Sequence, residues 1–465
     1  MNKPMDDFRR TGHEIVDWIA DYLRDPRDFP VLPNVQPGDL TGRLPLSAPE
    51  QAEPLEAILQ DFHKLIVPAV THWNHPRFMA YFPSTASPPG VLAEMLSAAL
   101  NTNAIVWKSS PASTELEILT TGWLRQWLGL PDGFFGIIYD TASMGTLHAI
   151  AAAREMAAPE MRNQGAVRGL TLYTSGQAHS SVEKGAIAIG IGRENVRKIA
   201  TDAEFRMRTD ALVEAIEADL KADRKPFCVV ATVGTTSSTS VDPVAEIAEV
   251  AEKYGLWFHI DAAYAGAAAI LPERRWILEG AGRAHSLVMN PHKWLFTPSD
   301  LSTFFTRRPD ILRRAFTLVP EYLRTSVDGK ATNLMDYSIS MGRRFRSLKL
   351  WFVMRYYGKE GVSEILRRHI SFGQRIAAAV DDDERFERVA PTPFSVVCFR
   401  YKGSDEDNRK LLDTINASGK TFLSHTELNG QFVIRYAIGN LGTTEADVDE
   451  IWDLIQRSAE ILTTP

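Results

Sequence analysis

Asn290-Pro291-His292-Lys293-Trp294 closes an apolar run at 286–289 that reads as a short buried strand. The end of a core strand is an unusual place for a solvated cation. Burial lowers a lysine's pKa, and the unprotonated amine is the form that attacks a carbonyl carbon to make a Schiff base. Upstream, His259-Ile260-Asp261-Ala262-Ala263-Tyr264-Ala265-Gly266 places a carboxylate at the end of a second apolar run, 256–260. Ala262 and Ala263 leave room for a flat ring beside the backbone. A Schiff-base lysine and a strand-end aspartate that pairs with a pyridinium nitrogen are a protein's contribution to a pyridoxal phosphate (PLP) site.

Outward from these two stretches, apolar runs alternate with helical patterns. Strands are predicted at 136–141, 170–175, 196–200, 227–233, 257–261, 287–290 and 302–306, and helices at 144–156, 210–221 and 243–254, among others. Strands buried on both faces and separated by helices indicate a mostly parallel, seven-stranded α/β sheet. Ligands of such sheets bind outside the carboxyl ends of strands, where Ser143, Asp261 and Lys293 fall. Ala142-Ser143-Met144-Gly145-Thr146 lies between a strand and a helix. Its free N–H groups and dipole suit a phosphate, with the Ser143 hydroxyl as a further donor. His179, after the strand at 170–175, is placed to stack on a planar cofactor. The small hydroxyls of Gly234-Thr235-Thr236-Ser237-Ser238 are placed to touch a cofactor edge.

Each residue alone has a plainer reading: a surface lysine, an Asp turn cap, a Ser N-cap, a structural histidine, a loop of small residues. One alternative comes from another reaction class. Thr141-Ala142-Ser143-Met144-Gly145 nearly matches the G-x-S-x-G nucleophile elbow of serine hydrolases, and Asp261 and His292 follow in the required order. That reading leaves Lys293 unexplained. Gly190-x-Gly192 lacks the third glycine of a dinucleotide fingerprint. With no C-x-x-C and no H-E-x-x-H, no metal site is expected.

The bulk numbers set the class. A chain of 465 residues with 45% hydrophobic and 23% charged residues is an ordinary globular protein of two or three domains. The net charge of −7, without a Lys/Arg run, argues against nucleic-acid partners. No stretch reaches the ~20 apolar residues of a membrane span, and no leader is evident, so a cytoplasmic enzyme is expected. Cys228 and Cys398 read as small core residues. Three parts are expected: an N-terminal helical segment, 1–85; a large domain, 86–365; and a small α+β domain, 366–465. In the last, strands are predicted at 394–400 and 431–437 and helices at 408–417 and 444–462. A helix at 7–24 carries Ile15, Trp18, Ile19 and Tyr22 on one face, ahead of a Pro-rich stretch. That face needs a partner elsewhere in the fold or on a second subunit.

With these residues placed, the chain resembles the group II PLP-dependent amino-acid decarboxylases, in particular their aromatic branch (tryptophan and dopa decarboxylases). The resemblance runs nearly end to end. It includes Val70-Thr71-His72-Trp73, Ala80-Tyr81-Phe82-Pro83, Ser110-Pro111-Ala112-Ser113-Thr114-Glu115-Leu116-Glu117, Ala178-His179-Ser180-Ser181-Val182-Glu183 and both stretches quoted first. It ends with Gly342-Arg343-Arg344-Phe345-Arg346-Ser347-Leu348-Lys349. The resemblance implies the type I PLP fold, aspartate-aminotransferase-like, as a homodimer with shared active sites and N-terminal helices wrapped around the partner. It implies that Lys293 holds PLP, Asp261 pairs with the pyridinium nitrogen and His179 stacks on the ring. Ala142, Ser143 and Asn290 would bind phosphate. Ala263 and Thr236 would lie near the ring, and His292 would position cofactor and substrate.

It also implies that Tyr322, in Val319-Pro320-Glu321-Tyr322-Leu323, returns the proton to Cα. Family members with phenylalanine there make aldehydes oxidatively, so Tyr322 argues for simple decarboxylation. The substrate pocket would use Trp73, Tyr81, Phe82, Pro83, Asn103, Ile105, His292 and Gly342. Glycine at 342 leaves room for an indole, which favours tryptophan or a broad aromatic range over histidine. Asn103 and Ile105 replace the isoleucine and phenylalanine of the animal enzyme and weaken a dopa-type preference. The absence of a basic cluster for a second carboxylate counts against glutamate. Histidine decarboxylase, an aromatic aldehyde synthase and a non-catalytic PLP-binding scaffold are the remaining alternatives.

Overall fold

The computed structural model describes residues 3–165, 168–318 and 331–463. The described chain divides into two compact units: Met1–Pro88 with Phe372–Val389 and Val397–Pro465, and Pro89–Ser371 with Ala390–Val396.

The second unit contains a seven-stranded sheet. Its strands are β1 (Phe135–Tyr139), β2 (Leu170–Ser175), β3 (Val196–Ile199), β4 (Lys225–Thr232), β5 (Trp257–Asp261), β6 (Ser286–Met289) and β7 (Ser302–Thr306). The order across the sheet is β1-β7-β6-β5-β4-β2-β3. All seven strands stand where the apolar runs predict them. β2, β5, β6 and β7 are buried at every residue. Burial at every residue is the pattern of a sheet covered on both faces, with apolar stretches such as Trp257–Phe258 and Leu287–Met289 filling it.

Only β7 runs against its neighbours, β6 and β1; every other pair is parallel. Two strands that both oppose β7 must point the same way. The carboxyl ends of β1, β2, β4, β5 and β6 therefore share one edge of the sheet. The segments that carry Ser143, His179, Thr236, Asp261, Asn290 and Lys293 leave from that edge.

The first unit has a five-stranded sheet with Phe422–Leu428 and Gln431–Ala437 as an antiparallel hairpin. Asn429 and Gly430 make its two-residue turn with φ of 52° and 75°. Both positive values match a type I′ turn, which Asn-Gly favours. The helices Asp405–Ala417 and Glu445–Thr463 contribute Leu411, Ile415, Val448, Ile451 and Ile455 to the core. Asp447, in the first turn of the second helix, is nearly fully buried. It accepts from Arg27 at 2.7 Å and Arg77 at 2.8 Å, which ties the N-terminal segment to the C-terminal helix. Cys228 and Cys398 are buried and form no disulfide among the described residues. No described helix is long and apolar enough to cross a membrane.

Candidate active site

The predicted phosphate cup lies where β1 meets the helix Ala142–Ala157. Thr141 is the N-cap, its hydroxyl accepting from Met144 N at 3.4 Å. The first-turn N–H groups of Ala142 and Ser143 have no carbonyl within the helix to bond. Ser143 stays exposed at the rim. Gly145 explains how this helix comes so close to the sheet. A Cβ there would lie 2.7 Å from Val288 Cγ2 on β6. Val288 is branched and has little freedom to yield. Gly145→Ala is therefore expected to lift the helix from β6, costing about 1–3 kcal/mol of stability and weakening PLP retention. Thermal unfolding and PLP dissociation after gel filtration check it.

Asp261 ends β5 and is 4% exposed. Its Oδ1 accepts from Ala263 N at 3.1 Å, which orients the carboxylate. β5 and β6 stay tied beyond their ends: Ala262 N donates to Val288 O at 2.9 Å, and Asn290 N to Ala263 O at 3.1 Å. The Asp261 turn and the Lys293 turn are thus stitched together by backbone. Gly234, with φ of 87°, lets the loop after β4 press against Ala265, where a Cβ would meet another at 2.5 Å. Thr236 is exposed on that loop, and Thr235 fixes the loop by accepting from Ser240 N at 3.1 Å.

Lys293 is half-buried on the single turn Pro291–Trp294. Trp294 is fully buried beneath it and stacks on Tyr264 at 4.7 Å and 9°. The Trp294 Nε1–H donates to His369 Nδ1 at 3.1 Å, and Tyr264 shares a hydroxyl bond with Ser395 at 2.9 Å. These contacts fix the turn on which Lys293 stands. Trp294 belongs to the quoted block, but its partner His369 carries no local sequence signal.

His292 accepts from Leu301 N through Nδ1 at 3.0 Å, so its neutral ring carries the proton on Nε2. Burial, with Lys293 adding, pushes its pKa down to about 4. His179 likewise accepts from Ser181 N at 3.2 Å through Nδ1. Crowding by neighbouring atoms lowers its pKa; Asp261 opposes this and Lys293 adds to it. Its ring nevertheless keeps an open face. Asp261, His179, Lys293 and His292 are therefore close enough for their charges to act on one another.

This arrangement fits PLP. The Asn290 side chain is 3% exposed, and its Oδ1 has no hydrogen-bond partner among the described residues. A buried amide oxygen so placed lacks a donor, and with the amide turned its NH2 would be free to meet a phosphate. Asp261 offers an anion at the sheet edge, and His179 an open ring face.

Of the predicted substrate residues, the second unit brings Asn103, Ile105 and Gly342 together. Arg343 N donates to Asn103 Oδ1 at 2.9 Å, and Ala104 N to Arg343 O at 3.0 Å. A Cβ on Gly342 would lie 3.8 Å from Asn103 Nδ2. Arg343 is anchored by Glu117 and by Ile138 O at 3.0 Å. In the first unit, Trp73 and Tyr81 stack at 5.7 Å and 14° and stay 40% and 52% exposed. Phe82 lies under Arg435 at 5.3 Å, and Pro83 is buried. Tyr322 lies outside the described residues.

A parallel sheet edge bearing a lysine, an aspartate, a histidine face and a phosphate cup defines a PLP enzyme. The chain belongs to the pyridoxal-dependent decarboxylases, whose conserved domain matches residues 37–402. It is a PLP-dependent carboxy-lyase, and PLP is its cofactor. It is 43% identical to phenylacetaldehyde synthase of Arabidopsis thaliana, over 99% of this chain and 98% of that protein. It is 42% identical to aromatic-L-amino-acid decarboxylase of Bos taurus, over 97% and 96%. The crystal structure of Oryza sativa TDC with PLP and tryptamine matches with a TM-score of 0.95 at 38% identity, over 99% of both chains. That of Catharanthus roseus tryptophan decarboxylase in complex with L-tryptophan matches at 0.93 and 40%, over 98% of both. These matches confirm the type I PLP fold and set the serine hydrolase reading aside.

Proposed function

We propose that the protein decarboxylates aromatic L-amino acids to the amine and CO2, with tryptophan or a broad aromatic range as substrates. The observation that carries this reading is the cluster of Asp261, His179 and Lys293 at one sheet edge, in a chain whose relatives are named for aromatic amino acids. PLP, when bound, supplies the electron sink for the pair released as CO2 departs. Lys293 would hold the cofactor through its amine. Asp261 would pair with the ring nitrogen and favour its protonated form, and His179 would cover one ring face. Ala142, Ser143 and Asn290 bind the phosphate; Ala263 and Thr236 border the ring. His292 presents Nε2–H to orient cofactor and substrate. Tyr322 delivers the proton to Cα.

Trp73, Tyr81, Phe82 and Pro83 form one substrate-binding surface, and Asn103, Ile105 and Gly342 another. The Asn103 amide is oriented by Arg343 N, so its Nδ2 faces the Gly342 side. That favours a flat ring with room at 342.

The reading includes a homodimer with shared sites. Leu92, Met95, Leu96 and Leu100 form an apolar stripe, each at least 41% exposed, on the helix Pro88–Leu100, and a second subunit would cover it. Residues 1–85 act as the dimerisation segment, 86–365 as the cofactor domain and 366–465 as the small domain. A cytoplasmic location agrees with two buried cysteines outside any disulfide.

The test offers the PLP-loaded protein tryptophan, phenylalanine, tyrosine, dopa, histidine and glutamate separately, and measures CO2, amine and aldehyde. Amine with equimolar CO2 from tryptophan or several aromatics is expected. Aldehyde as the main product would favour the second reading, an aromatic aldehyde synthase, which the likeness to phenylacetaldehyde synthase supports. No CO2 from any aromatic acid would sink both.

A further inference from the structure

His148 is fully buried on the helix Ala142–Ala157, beyond the residues assigned to the phosphate. A buried imidazole needs partners for both ring nitrogens. Its Nδ1 lies 2.6 Å from Met144 O, and its Nε2 lies 3.1 Å from Ile339 N. A backbone N–H only donates, so Nε2 is the bare nitrogen and Nδ1–H donates to Met144 O. Tyr139 stacks on the ring at 4.3 Å and 20°, and its hydroxyl donates to Tyr337 O at 2.6 Å. Phe316 covers another side at 4.6 Å.

Two side chains from β1 and its helix thus grip the backbone at 337 and 339. The Ile339 side chain is 63% exposed, so it adds little hold of its own. Three residues on, the chain reaches Gly342, and Arg343 is pinned by Asn103 and Glu117. Gly342 is the link between these two anchors. It lines a small cavity of about 70 Å³ together with His148, Ser338 and Arg343. Burial holds the His148 pKa near 4, with Arg343 adding and with the Met144 carbonyl and Asp140 opposing. The accepting nitrogen therefore stays bare at neutral pH.

We propose that His148 is a positioning residue that, through its bond to Ile339, sets where Gly342 stands and so tunes the choice among aromatic substrates. This rests on the decarboxylase reading above. His148 is fully buried and acts through the backbone of 337–342.

The test compares the PLP-loaded wild type with His148→Leu, which fills space without bonding, and His148→Gln, whose amide oxygen can accept from Ile339 N. Amide exchange over 337–343, the PLP absorbance, and kcat and KM for tryptophan and phenylalanine are measured. In the Leu variant, exchange is expected to rise roughly tenfold, as loss of one hydrogen bond allows. The absorbance should stay unchanged, and the tryptophan-to-phenylalanine ratio of kcat/KM should fall severalfold through KM. The Gln variant is expected to recover most of each change. Unchanged exchange and ratio in the Leu variant would overturn the proposal. So would equal damage in both variants with an equal loss of thermal stability, the mark of simple space-filling. If the wild type releases no CO2 from either substrate, the selection role falls with the decarboxylase reading, while exchange still decides whether His148 anchors the segment.

Discussion

Replacing Lys293 with Ala is expected to leave a folded protein that releases no CO2 from any amino acid and sheds its PLP on gel filtration. The scaffold does not depend on this side chain. Lys293 is half-buried, whereas the turn that carries it is held from below by Trp294, which is stacked on Tyr264 and bonded to His369. Pro291 sets φ at the start of that turn, and Asn290 N remains bonded to Ala263 O. Thermal unfolding should therefore move by no more than a few degrees, as expected when about 1 kcal/mol or less is lost. What disappears is the amine proposed to bind the cofactor covalently. Lys293→Arg should fail as well, because a guanidinium stays protonated and cannot serve as the nucleophile. The measurements are CO2 release, visible absorbance after gel filtration, and unfolding temperature. Near-normal turnover in the Ala variant would remove Lys293 from the chemistry.

The sheet is legible in the sequence because its strands are buried and carry short apolar stretches, such as Phe227–Ala231 in β4, Leu287–Met289 in β6 and Phe304–Phe305 in β7. Phe422–Leu428 is not, because it carries Ser424, His425, Thr426 and Glu427 and lacks an apolar run. Ser424 is polar for a reason seen only in the fold: its hydroxyl meets Tyr81 N at 3.0 Å and Arg435 at 2.9 Å. Asn429-Gly430 is the local signal that marks this hairpin. In the site, Lys293, Asp261, His179 and Ser143 announce themselves by residue type at strand ends. Their supports do not. The fit of Gly145 on Val288 and of Gly234 on Ala265 depends on packing between distant segments. Trp294 and His369 are 75 residues apart in sequence, and His148 and Ile339 are 191 apart. No window of local pattern spans such pairs.

Asp261→Asn is expected to retain PLP but to lower kcat on the order of 10²–10³-fold, the scale seen when one preorganised electrostatic partner is removed from an active site. Asn keeps the shape and can still accept from Ala263 N, so the turn after β5 should hold. It removes the charge proposed to keep the cofactor's ring nitrogen protonated, and with it the depth of the electron sink. PLP is expected to stay bound through Lys293 and the proposed phosphate cup. Because the charge matters only as electrons flow toward the ring, kcat and kcat/KM should fall together. A second readout tests the geometry without turnover. Asp261 raises the pKa of His179 against the lowering by burial and by Lys293. Loss of that anion must therefore move the His179 titration to lower pH, which NMR of the ring protons can follow. An unchanged kcat would detach Asp261 from the ring nitrogen. An unmoved His179 would show that the two side chains do not share one site. A lower kcat together with a downshifted His179 would place the carboxylate, the imidazole and the ring nitrogen within one another's fields, as decarboxylation at this sheet edge requires.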